Sequence, residues 1–200
     1  MTNRVDFLKE FIDSQAILRG HFILSSGLHS DTYMQCAKVL MDPKRSEKLC
    51  NSLAQKLIAK FGENFVDIVV SPAMGGVVVG YELARQLGIQ AIFCERVNGQ
   101  FELRRGFEIN KNHRVLIVED VITTGKSSLE TVNLVKNYTD NIIAEACLVD
   151  RSNDKDLSSK LSIPVVSLIE IAVKTFEPKN IPLELKNIPA IKPGSRFLKS

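Results

Sequence analysis

The sequence predicts an α/β fold: a central, mainly parallel sheet flanked by helices. Three observations predict it. Apolar runs of strand length recur at 66–70, 89–94, 115–118, 142–149 and 163–169. Segments with helical spacing stand between several of them, as at 77–87 and 127–137. The alternation of the two implies crossover connections, hence parallel pairing with both faces of the sheet covered.

Taken in order, residues 4–18 carry Val5, Leu8, Phe11, Ile12, Ile17 and Leu18, a spacing that predicts an amphipathic helix ended by Gly20. Short strands at 21–24 and 32–37 enclose a loop of small residues, 25–31. Asp42-Pro43 predicts a helix start, an N-capping acid followed by proline at the first helical position. Leu49, Leu53, Leu57 and Phe61 form that helix's apolar stripe, and Gly62 stops it. A strand at 66–70, a loop at 71–76 and a helix at 77–87 ended by Gly88 follow. After the strand at 89–94 comes a long, charged, glycine-punctuated connection, 95–113. The strand at 115–118 leads to a helix at 127–137 and a strand at 142–149; a polar loop precedes the last strand at 163–169. Pro178, Pro182, Pro189 and Pro193 predict extended packing rather than helix beyond it.

Two hundred residues suit one domain, 1–200, and 44% hydrophobic with 24% charged residues is ordinary globular composition. A net charge of +3 without a basic tract argues against nucleic-acid binding. Asp6, Lys9, Glu10 and Asp13 among the first apolar residues argue against a targeting peptide, and no run is long enough for a membrane span. A cytoplasmic location is expected. Cys36, Cys50, Cys94 and Cys147 lack metal or redox spacing and read as reduced core thiols; His21, His29 and His113 share no ligand spacing.

The chemistry concentrates at 115–128, Val-Leu-Ile-Val-Glu-Asp-Val-Ile-Thr-Thr-Gly-Lys-Ser-Ser. An apolar strand ends on two acids, Glu119 and Asp120, before a small, hydroxyl-rich turn and a helix. Backbone N–H groups at such a turn can wrap a phosphate at a helix N-terminus. Carboxylates repel phosphate, so the acids must face ribose hydroxyls, a metal or a developing cation. A sugar phosphate fits that combination. A nucleotide-triphosphate loop is excluded, because the glycine it requires falls at Asp120. The alternative is a strand, a turn and a helix cap that bind nothing.

This run resembles the phosphoribosyl-diphosphate motif of the type I phosphoribosyltransferases, and Glu-Asp-Val-Ile-Thr-Thr-Gly is most similar to the orotate phosphoribosyltransferases. The resemblance covers nearly the whole chain and implies the type I phosphoribosyltransferase fold with a small N-terminal hood, about residues 1–40. It implies transfer of ribose 5-phosphate from 5-phosphoribosyl 1-diphosphate to orotate, with Mg2+ bound mainly through the diphosphate. Glu119 and Asp120 would hold the ribose; Val121, Ile122, Thr123, Thr124, Gly125, Lys126 and Ser127 would cradle its 5′-phosphate. Ser71-Pro72-Ala73-Met74-Gly75-Gly76 would meet the diphosphate through backbone groups, with Ala73 and Gly75 in contact. The segment 95–107 occupies the place of the family's mobile catalytic loop but lacks its lysine. Arg96 would stand at its basic entrance, and Arg104 or Arg105 would stabilise charge. Arg151, after a strand end, matches the family's partner of the orotate carboxylate. The segment 20–33 resembles the hood over the base, expected to contact it through backbone groups because the tandem aromatics after Tyr33 are Met34 and Gln35. A homodimer with shared active sites is implied. The rival readings are a purine or xanthine phosphoribosyltransferase and a non-catalytic module that senses phosphoribosyl diphosphate.

Overall fold

The computed structural model describes residues 4–24, 27–152 and 154–193. Its elements in chain order are α1 (Arg4–Asp13), β1 (Ile17–Ile23), β2 (His29–Met34), α2 (Ala37–Leu40), α3 (Pro43–Phe61), β3 (Ile68–Pro72), α4 (Gly75–Leu87), β4 (Gln90–Val97), β5 (Gln100–Leu103), β6 (Val115–Ile122), α5 (Lys126–Val135), β7 (Ile142–Asp150), α6 (Leu157–Leu161), β8 (Val165–Glu170), β9 (Thr175–Phe176) and α7 (Leu183–Lys186). The main sheet has the order β5-β4-β3-β6-β7-β8, parallel except for the β4–β5 hairpin. A smaller sheet, β1-β2-β9, forms the hood.

Strand alternation divides the core in two. Leu116, Val118, Ala144, Ala146 and Leu148 face the layer built by α3 and α4, against Leu49, Leu53, Val79 and Leu83. Val115, Ile117 and Cys147 face the α5 and α6 layer, against Val132, Val135, Leu157 and Leu161. The start of α3 is as expected: Pro43 opens it, and the Asp42 carboxylate accepts from the Lys44 and Arg45 N–H groups at 2.9 and 3.4 Å.

Several local expectations are corrected. The first helix stops at Asp13, because Gln15 takes a left-handed φ of 54° and the Ala16 N–H bonds back to the Phe11 carbonyl. Ile17 and Leu18 therefore open β1, and Gly20 lies at an irregularity in its pairing with β2 instead of capping a helix. The second hood strand begins at His29. The connection after 94 is largely an antiparallel hairpin, since β4 runs on to Val97 and pairs with β5. The proline-rich stretch does contain a short helix, α7, which starts directly after Pro182, where a proline costs no helical bond. Ser25, Ser26 and residues 194–196 lie outside the described residues.

Candidate active site

The parallel strands β3, β6 and β7 end on one edge of the sheet, the place where open α/β sheets bind ligands. The N-termini of α4 and α5 open on that edge, 13 and 10 residues long. Each presents unpaired amides and a positive dipole end.

At α5 the first helical bond runs from the Leu129 N–H to the Gly125 carbonyl. The amides before it are left for a ligand. Gly125, at φ 71°, makes the turn; a Cβ there would sit 2.7 Å from a methyl of Leu157. Thr123, Thr124 and Lys126 are exposed around it, Ser127 and Val121 partly so, and Ile122 anchors the strand in the core.

At α4 the loop 73–76 is fixed by the Ala73 N–H, which donates to the Cys94 carbonyl at 2.8 Å, and the Ala73–Met74 peptide is cis. A Cβ on Gly75 would lie 2.7 Å from Asp120 Oδ1. Only glycine lets the two loops approach that closely, so the acid and the expected diphosphate loop share one space.

The acidic pair is divided by the strand's own alternation. Asp120 points to the α4 side, against Gly75 and toward Tyr33 and Cys36, which Arg151 also approaches. Burial pushes its carboxyl up to about 6, moderated by the Val121 N–H and its own. Glu119 points to the α5 side. It is 8% exposed, and burial, then Asp120, then Glu145 push its carboxyl well above the usual range.

Arg151 is buried at the end of β7, its N–H donating to the Ile122 carbonyl at 3.0 Å. Desolvation lowers its pKa, and among the described residues its guanidinium forms no ion pair. A buried cation in that condition needs an anion. Tyr33 lies close enough for its phenol to be raised by burial and by Asp120, and lowered by Arg151. The hood thus brings a side chain to the site, where backbone contacts alone are expected from the sequence.

The arginines of the hairpin are not equivalent. Arg96 pairs with Glu130 of α5, donates to the Gly99 carbonyl at 2.7 Å and stacks on Phe101. Arg105 holds Glu95 through two bonds, 2.8 and 2.9 Å. Arg104 is exposed and in no ion pair among the described residues. The structure therefore gathers Glu119, Asp120, the 121–127 turn, Ala73, Gly75 and Arg151 on one edge. Arg96 stands beside α5, and Arg104 and Arg105 stand on the hairpin. Sequence reading misses Glu145, a carboxyl inside the apolar strand β7, although a lone acid within Ile-Ile-Ala-Glu-Ala-Cys-Leu-Val is a visible signal. No group of three or more His, Cys, Asp or Glu among the described residues could hold a metal ion.

The phosphoribosyl transferase domain model matches residues 38–180. An orotate phosphoribosyltransferase of Maricaulis maris is 47% identical over 195 residues, 98% of each chain. One from Erythrobacter litoralis is 50% identical over 192 residues, covering 96% of this chain and 97% of the relative. The crystal structure of orotate phosphoribosyltransferase from Aeropyrum pernix superposes with a TM-score of 0.64 at 26% identity, over 82% of this chain and 93% of that one. With a family model across most of its length and full-length relatives at such identity, the chain belongs to the phosphoribosyltransferase family, among the orotate phosphoribosyltransferases.

Proposed function

We propose that the protein transfers ribose 5-phosphate from 5-phosphoribosyl 1-diphosphate to orotate, giving orotidine 5′-monophosphate and diphosphate for pyrimidine nucleotide synthesis. The observation that carries this reading is the buried Arg151 beside Tyr33, in no ion pair among the described residues, on the edge that the α5 phosphate turn also faces. A guanidinium fork there suits a carboxylate-bearing pyrimidine and gives nothing to a neutral purine.

The 5′-phosphate lies on the Thr123–Ser127 amides and hydroxyls, and the diphosphate on the α4 N-terminus through Ala73 and Gly75. Glu119 and Asp120 hold the ribose hydroxyls. As the C1–diphosphate bond breaks, positive charge spreads over C1 and the ring oxygen. Asp120, the more readily ionised of the two acids, opposes that charge. Orotate attacks through a ring nitrogen that is already anionic, so no strong base is required; the protein positions the partners and excludes water. A magnesium ion bound together with the diphosphate would supply neutralisation of the leaving group. Glu119 and Asp120 at this edge are hard oxygen donors of the kind that suit Mg2+.

A homodimer with shared sites belongs to the same reading. The outer face of α4 exposes Val78 and Tyr81, with Met41 and Met74 nearby, around a groove of about 360 Å³ lined by Leu40, Val77, Tyr81 and Phe93. Knob and hollow lie side by side on one patch, as a two-fold interface requires. Arg104 is then the hairpin arginine free to reach a neighbour's diphosphate.

The test is an absorbance assay of orotate consumption with phosphoribosyl diphosphate and Mg2+, run beside hypoxanthine and uracil. Loss of orotate alone is expected. Consumption of hypoxanthine in preference assigns the site to a purine, and no consumption of any base leaves a binding module.

A further inference from the structure

Glu145 lies in the middle of β7 with no solvent exposure, and neither carboxyl oxygen has a hydrogen-bond partner among the described residues. Its neighbour across β6 is Ile117, two residues before Glu119, whose own neighbour is Cys147. Residues two apart on a strand share a face, so Glu145 and Glu119 both point into the α5 layer, one step apart on adjacent strands. The catalytic reading uses Glu119 and leaves Glu145 without a task. Around the pair, β7 contributes Cys147 and, at its end, Asp150; α5 contributes Ser128, near Glu145 but outside bonding geometry. Arg96 and Cys94 approach Glu119 from β4, Asp120 follows it on β6, and the β8 neighbour of Glu145 is the apolar Val165. Arg96 is the cation within reach of Glu119 and is already engaged with Glu130.

We infer that Glu145 is a positioning residue that hinders the ionisation of Glu119 from inside the protein, and so shifts the pH range over which the ribose-binding edge is fully charged. Two carboxyls that share a dry layer cannot both ionise freely. A proton held by Glu145 removes one of the three influences that keep Glu119 protonated, the others being burial and Asp120; a charge on Glu145 restores it. Burial raises the Glu145 carboxyl to about 7, so its own charge appears near neutrality. The inference rests on Glu119 contacting ribose, and the test separates the two.

The variants are Glu145→Gln, which keeps shape and removes the charge, and Glu145→Leu, which replaces an unpartnered acid by an apolar side chain in an apolar strand and so protects against a folding failure of the first. Proteins carrying 13C-carboxyl glutamate are titrated by NMR, with the Glu119 signal assigned through Glu119→Gln. The KM for phosphoribosyl diphosphate is followed over the same pH range. Both variants are expected to shift the Glu119 titration to lower pH by about half a unit or more, and the upper ionisation in the KM profile is expected to move with it. A Glu119 titration unchanged in folded variants overturns the inference. So does a loss of activity that is uniform across pH, the mark of a purely structural residue. A titration that moves while the KM profile stays fixed upholds the coupling and removes the ribose contact of Glu119.

Discussion

At the scale of single residues, the two sides of the sheet edge divide the work. In the proposed function Asp120 carries the charge that matches the transition state, and its value of about 6 then predicts that kcat/KM for phosphoribosyl diphosphate falls as pH drops below that point. Asp120→Asn keeps the shape that fits against Gly75 and removes the charge. Turnover is expected to fall by about a hundredfold or more with the melting temperature little changed, as measured by steady-state kinetics beside thermal unfolding. A loss of only a few-fold would assign the carboxylate to packing against Gly75. In the same proposal Arg151 acts on the other substrate. Arg151→Ala is expected to raise the KM for orotate about ten- to a hundredfold, the value of a charge-assisted pair of roughly 1.5–3 kcal/mol, and to leave the KM for phosphoribosyl diphosphate within a few-fold. Equal increases in both constants would mark it as a structural cation.

At the scale of elements, β7 carries a cost that its sequence does not repay locally. The Glu145 carboxyl is raised by burial from 4.5 to about 7, so the native state holds a proton that the unfolded chain releases. The native state then binds more protons than the unfolded one between those values, and stability falls as pH rises through that window. Below about 4.5 nothing is lost; above about 7 the full cost, up to about 3 kcal/mol, is present. Glu145→Gln should therefore gain little stability at pH 4.5 and most at pH 8, which denaturant titrations at the two pH values would detect; an equal gain at both would show that the proton is not involved. The elements also show what could be read beforehand. The β–α alternation, the Asp42 cap and the 115–127 turn were legible because each depends on local spacing and chemistry. The end of α1 was not, because Ile17 and Leu18 continue a helical spacing and only pairing with Tyr33 and Met34 makes them strand. The hairpin at β5 is likewise decided by pairing to β4, because the alternation of Gln100-Phe101-Glu102-Leu103 is too short to mark a strand by itself. Division of Glu119 from Asp120 follows from strand alternation once β6 is extended to Ile122, beyond the apolar run that marks it in the sequence.

At the scale of the whole molecule, the expected dimer turns the α4 face into an interior. Tyr81→Glu puts a charge on that patch and is expected to yield monomers in sedimentation analysis with little residual activity; an active monomer would refute the shared site. Trans action of the hairpin is tested by mixing Arg104→Ala with Asp120→Asn under subunit exchange. Random pairing gives half mixed dimers with one intact site in two, so activity should recover to about a quarter of wild type, whereas an arginine acting on its own site restores nothing. The hood has a further consequence, for the order in which the protein can be made. Its strands β1 and β2 belong to the first sixth of the chain. They are completed by pairing of Ser30 with Thr175, by the Ile23 and Ile191 N–H groups bonding to the Ile191 and His21 carbonyls, and by His21 Nδ1 at 2.9 Å from the Ile188 carbonyl. During synthesis the partners of the earliest strands emerge some 150 residues after them, a separation that is slow to close. The sheet edge with the 121–127 turn can form while the ribosome is still at work; the β1-β2-β9 sheet waits for residues 175–191, so, on the proposed function, a nascent chain is expected to acquire phosphate-binding loops before it acquires a pocket for its acceptor.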